Sequence, residues 1–173
     1  MFRVGPSSAL FSLLALTLPS AAAAAAPVRA SPKAKGQVTL VRPLTLQRLN
    51  DMDFAWLGVT TGGTATIDPL TGLLTTSGGL LRIGGTPSPA RYAGAAVKST
   101  VVNIKVPKQP ILITRVGGTE TLSVSNFTLD GQDKRTLAQS GSFTFAVGAR
   151  IIVPAGTVEG LYTGEIDVTI QYP

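Results

Sequence analysis

Chemistry needs side chains that move protons, bind metal or attack, and this sequence offers few. Its 173 residues include no His and no Cys. A Ser-His-Asp triad, a Cys nucleophile, Cys/His zinc ligation and a disulfide framework are therefore excluded. The usual near-neutral general base is also missing. Carboxylates remain. Asp51 and Asp53 stand two apart, so on a strand they would share a face, the kind of carboxylate pair that glycosidases use. Acids at turns and strand edges have the same spacing, and no second motif supports catalysis. Asp130-Gly131-Gln132-Asp133 begins like a calcium loop. It lacks the third acid and the terminal Glu of a site with about six to eight oxygens, and a solvated turn fits it better. The Gly-Gly pairs match neither G-x-G-x-x-G nor a P-loop and read as turn glycines. No Ser sits in G-x-S-x-G. Asn126-Phe127-Thr128 matches the glycosylation acceptor, a motif too short to be specific. The chain reads as non-enzymatic, with no catalytic, cofactor-binding or metal-binding residues.

The elements that must carry these residues are strands. Gly (19) and Pro (12) are frequent in a chain that is 44% hydrophobic, which means many turns around a core. No helical period of useful length follows the N-terminal region. Strands are expected at Gln37 to Leu46, kinked at Pro43, and around Leu49 to Val59. A turn at Gly62-Gly63 precedes Ala65 to Ile67. Leu73 to Ile83 reads as a strand pair interrupted at Gly78-Gly79. Arg91 to Val97, Thr100 to Val106, Ile111 to Val116 and Thr121 to Leu129 follow. Asp130 to Gln139 is a polar loop before Ser142 to Val147 and Arg150 to Val153. Short strands with turns about every ten residues indicate a sandwich or barrel in one domain. Phe54 and Trp56 share a parity with Met52, so Trp56, the only Trp, is expected in the core.

The last stretch alternates almost without fault. Tyr162, Gly164, Ile166, Val168, Ile170 and Tyr172 fall on one parity, and Thr163, Glu165, Asp167, Thr169 and Gln171 on the other. It is expected to be one long strand with one apolar and one wet face. At the other end, residues 1–26 read as a signal peptide: Arg3, an apolar run from Ala9 to Leu18, then Ser20 and the alanines Ala21 to Ala26. That run is too short to span a bilayer, so no transmembrane segment is expected in the mature form. Residues 27–36 form a basic leader with Arg29, Lys33 and Lys35, and residues 37–173 the β-domain. The leader reads as a flexible tail. It also carries a strand pattern, with Val28, Ala30, Pro32, Ala34, Gly36, Val38 and Leu40 small or apolar on one parity. The net charge of +6 comes from scattered side chains without interleaved aromatics, which gives no nucleic-acid footprint.

Several stretches resemble a family. Arg42-Pro43-Leu44 is similar to its opening, and Met52-Asp53-Phe54-Ala55 to a Leu-Asp-Phe-Gly-like element with Ala55 where Gly is usual. Gly78-Gly79 and Pro89-Ala90-Arg91-Tyr92 resemble its middle. Phe145-Ala146-Val147-Gly148, Gly160-Leu161-Tyr162-Thr163-Gly164 and the closing Tyr172 resemble its end. The family is an uncharacterised domain-of-unknown-function group of exported bacterial proteins, itself similar to pilin and spore-coat-type subunits. The resemblance implies an all-β, immunoglobulin-like antiparallel β-sandwich, surface assembly and no enzyme. On this reading the protein is exported to the periplasm, outer cell surface or medium. It is a pilin-like, fimbrial-type structural subunit that self-assembles by β-strand addition with a periplasmic assembly partner; the alternative is a monomeric binding module. Val28, Ala30, Ala34, Gly36, Val38 and Leu40 form the candidate donor strand. Ile166, Val168, Ile170 and Tyr172 line the candidate groove.

Overall fold

A computed structural model describes residues 29, 31–40 and 43–173. The signal-peptide region, Val28 and Ala30 lie outside the described residues. The chain divides into two units, Met1–Thr39 and Leu40–Pro173. In the first, the described residues form no strand, and Ala34, Gly36 and Val38 are exposed.

The second unit is all-β and antiparallel, with no helix among the described residues. Its strands are β1 (Thr45–Asn50), β2 (Trp56–Ile67), β3 (Leu74–Gly84), β4 (Ala90–Ala95), β5 (Val101–Lys105), β6 (Ile111–Arg115), β7 (Thr121–Leu129), β8 (Lys134–Thr136), β9 (Ser142–Val153), β10 (Tyr162–Thr163) and β11 (Thr169–Gln171). Eight of them form one curled sheet in the order β1-β4-β9-β7-β6-β10, with β2 joined to β9 and β3 to β2. The other three form a small sheet, β11-β5-β8.

β9 organises the large sheet. Ser142 to Val147 pair with β4, and Arg150 to Val153 pair with β2. Its other edge pairs with β7. The two strands expected at Ser142–Val147 and Arg150–Val153 are therefore one. Phe145, Val147, Ala149, Ile151 and Val153 alternate along it and are buried. Ala146, on the opposite parity, is buried as well: its N–H reaches Asp130 Oδ2 at 2.9 Å, so a loop covers that face.

Packing follows from this placement. One apolar cluster joins Ala65 and Leu80 of the β2–β3 hairpin to Leu122 and Val124 of β7 and Ile151 and Val153 of β9. A second joins Tyr92 of β4 and Phe145 and Val147 of β9 to Ile104 of β5, so the small sheet closes over this end of the large one. Tyr92 and Phe145 are direct cross-strand partners with ring centroids 5.2 Å apart, a contact worth about 0.5–1.5 kcal/mol beyond the area it buries. Burial also pushes the Tyr92 hydroxyl above its ordinary pKa. No polar or charged residue is fully buried among the described residues, so apolar packing carries the fold.

Several expectations are corrected. The strand over Gln37 to Leu46 begins only at Thr45. The polar loop after β7 contains β8, which pairs with β5. Gly62-Gly63 and Gly78-Gly79 are not turns: Gly63 pairs with Gly78 inside the hairpin. A Cβ on Gly63 would stand 2.2 Å from Ser77 O, so backbones meet there too closely for a side chain.

The terminal stretch is not one strand. β10 pairs with β6 in the large sheet and β11 with β5 in the small one, so the chain crosses between sheets over residues 164–168. The alternation itself survives the crossing. Tyr162, Ile166, Val168, Ile170 and Tyr172 are half-buried, and the residues between them are exposed.

Candidate assembly edges

The polar constellations have structural work to do. Arg48 Nη1 contacts Asp51 Oδ1 at 2.5 Å on the exposed link after β1. Asp53 Oδ1 accepts the Ala55 N–H at 2.7 Å, and its backbone bridges to Ser88. The two carboxylates are thus tied to different partners. Asp130 accepts from Arg135 Nη2 at 2.6 Å as well as from Ala146 N–H. Arg135 also donates to the Gln132 carbonyl and lies over the Phe145 ring, 5.8 Å from its centroid. The loop that begins like a calcium site is therefore braced by a cation from within. Among the described residues no group of three or more acids could hold a metal ion. In the β6–β7 hairpin, Arg115 Nε and Nη2 donate to Glu120 at 2.7 and 3.2 Å. That bidentate hydrogen bond is the main cause that holds the Glu120 carboxyl down at about 2. Over β2 and β3 lies a shallow depression of about 490 Å³ lined by Thr64, Thr66, Thr75, Ser77 and Arg150. Arg150 Nε donates to Thr66 Oγ1 at 3.3 Å.

Trp56 is not in the core: 70% of it is exposed. The cause sits one residue earlier. Ala55 has φ 61°, a left-handed conformation that breaks the strand alternation between Phe54 and Trp56. Phe54 and Leu57 pack on the first core cluster, and Trp56 is turned to the outer face. There its ring covers Gly84, where a Cβ would lie 2.8 Å from Trp56 Cε3.

The open backbone lies at the sheet edges. Among the described residues, β3 pairs only with β2, β1 only with β4, and β11 only with β5. Unpaired edges are where another strand can add. β11 lies beside the expected groove residues. Val168 and Ile170 pack on the Tyr92–Phe145 cluster, and Tyr172 on Ala96, Val102 and Leu137. The Tyr172 hydroxyl accepts the Val97 N–H at 3.1 Å. The row Ile166, Val168, Ile170 and Tyr172 is thus the half-buried lip of the protein's own core rather than an empty groove. Of the candidate donor residues, Ala34, Gly36, Val38 and Leu40 are described. All are outside any strand and exposed, Val38 by 83% and Leu40 by 90%.

An all-β chain with open edges is the class that this geometry defines. Residues 44–172 match the family Domain of unknown function (DUF4402), and the chain belongs to that family. The chain matches no curated protein and no solved structure. Among the described residues no helix is long and apolar enough to cross a membrane.

Proposed function

We propose that the chain is a non-enzymatic, exported envelope protein: a pilin-like structural subunit that assembles by β-strand addition. One observation carries this reading. An edge strand with a half-buried apolar lip, β11, occurs in the same chain as an N-terminal stretch whose described residues lie in no strand and whose sequence alternates small or apolar with polar residues. Strand addition joins two such parts: main-chain hydrogen bonds supply affinity, and alternate side chains pack along the exposed side of the lip. The extension of one subunit, Ala34, Gly36, Val38 and Leu40 with the preceding Val28 and Ala30, lies beside β11 of the next. A periplasmic partner protects the edge beforehand. Packing of the small sheet on the β4–β9 end supports a two-layer, immunoglobulin-like arrangement. The N-terminal signal-peptide pattern supports export.

A second reading, a monomeric binding module, is favoured by the hydroxyl-lined depression beside Arg150. Size-exclusion chromatography of the mature protein from periplasm and from the cell surface separates the two. Assembly gives a ladder of oligomers that disappears when residues 27–36 are deleted. A monomer in both fractions overturns assembly and leaves the binding module.

A further inference from the structure

From the β3 edge we infer a second interface, independent of the N-terminal extension: β3 pairs antiparallel with β3 of a second copy about a two-fold axis. β3 is eleven residues long and has a strand on one side only among the described residues. Natural edges of this length are blunted by Lys, Pro, inward-pointing charge or β-bulges; here register shifts lie to either side of Leu80 to Arg82, which remain in regular register with β2. β3 has no Lys and no Pro. Its one charged residue, Arg82, is folded back, with Nη1 donating to the Gly85 carbonyl at 3.0 Å.

The outer face beside this edge is apolar. Leu81 is 65% exposed and Ile83 67%. Trp56 stands on the same face, opposite Gly84, and Gly58 leaves room for Ile83, whose Cγ2 would be 3.0 Å from a Cβ there. Three large side chains so exposed make a patch of a few hundred Å², comparable to the largest apolar patch on a typical monomer, which is often a functional surface.

The occupant is a second copy for reasons of symmetry, charge and area. A two-fold axis satisfies two identical edges at once, and its partner is always present at equal concentration. Centred on Leu81, the pairing sets Ile83 against the side-chain-free Gly79 and Arg82 against Leu80, which separates the two guanidinium groups. The N-terminal extension would instead bring Lys33 and Lys35 to an edge that already carries Arg82. Two patches and two backbone edges together approach about 1,200 Å², the low end for a specific interface, so the dimer is weak.

The sequence permits a clean test, because it contains no cysteine. Directly opposed residues in an antiparallel pair have Cα atoms about 4.5–5.5 Å apart, within disulfide reach. The expected result has three parts. Sedimentation of the chain shows a concentration-dependent dimer; Leu81→Lys abolishes it, while deletion of residues 27–36 does not. Under mild oxidation Leu81→Cys gives a covalent dimer faster than Leu112→Cys, a position equally exposed on β6. A chain monomeric at all concentrations overturns the proposal. So does a dimer that survives Leu81→Lys, one lost only with residues 27–36, or a Leu81→Cys rate no higher than that of Leu112→Cys.

Discussion

Two non-glycine residues decide which side chains reach the core. Ala55 (φ 61°) and Asn126 (φ 51°) each sit in the left-handed region and reset an alternation that is otherwise regular. Before Asn126 the buried parity of β7 is even, Leu122 and Val124; after it the core-facing residues are Phe127 and Leu129. A period-of-two reading is sound only while every residue is extended, so it places Leu122 and Val124 correctly and Trp56 wrongly. Asn tolerates this conformation; Ala does so at a cost of about 1–2 kcal/mol. Ala55→Gly should therefore raise stability by about 0.5–1 kcal/mol in denaturant titrations, the relief of strain exceeding the extra chain entropy. Trp56→Ala should cost no more than about 1 kcal/mol, because the ring is mostly in solvent, and iodide should quench Trp56 fluorescence readily in dilute protein. Glu120 gives a pH signature. Its carboxyl is lowered from 4.5 to about 2 on folding. The resulting stability is present in full above the unfolded value and is lost as pH falls from about 4.5 through about 2. Glu120→Gln should flatten the stability–pH curve in that window and lower stability across the neutral range, where the bond to Arg115 contributes in full, while leaving the most acidic range nearly unchanged. Thermal melts at stepped pH measure both effects.

At the scale of elements, patterned strands with an intact ladder were legible. The apolar rows of β5 and β9 stand where alternation puts them, and the all-β class follows from turns and composition. Long-range pairing was not legible. Nothing local in Ser142 to Val153 says that one edge of β9 serves two strands, since which strands meet depends on residues far apart in sequence. The terminal row illustrates both halves of the lesson. Its apolar parity holds from Tyr162 to Tyr172 except at the exposed Gly164, yet its sheet changes midway, because alternation describes faces and not partners. β9 should also be the least tolerant element. Phe145 is 2% exposed and touches both layers, so Phe145→Ala should cost about 3–5 kcal/mol. The same truncation at exposed Leu112 should change stability by no more than about 0.5 kcal/mol.

At the scale of the whole molecule, the proposed assembly separates into parts that can be broken singly. Val38 is exposed and outside the sheets, so Val38→Asp should leave the melting temperature of the isolated subunit unchanged and weaken polymer formation, read by electron microscopy of surface material. A melting temperature that falls with this variant would place Val38 in the subunit's own fold instead. The position of β9 in the sheet also governs when the fold can exist at all. β2, β4 and β7 each pair with it, so without residues 142–153 the large sheet falls into β1–β4, β2–β3 and a β6–β7 group with nothing to join them. Two-stranded pieces of this kind are marginal in water. Gly63 pairs with Val153 and Thr66 with Arg150, so the contacts that close the sheet span most of the domain. Topologies dominated by such distant pairings fold in roughly milliseconds to seconds, slowly for their size. A chain cut after Gly141 should show no cooperative unfolding transition. A nascent chain stays unfolded until about its last fifth, residues 142–173, is delivered, which would suit the proposed export through a narrow channel and exposes the chain to aggregation during that interval.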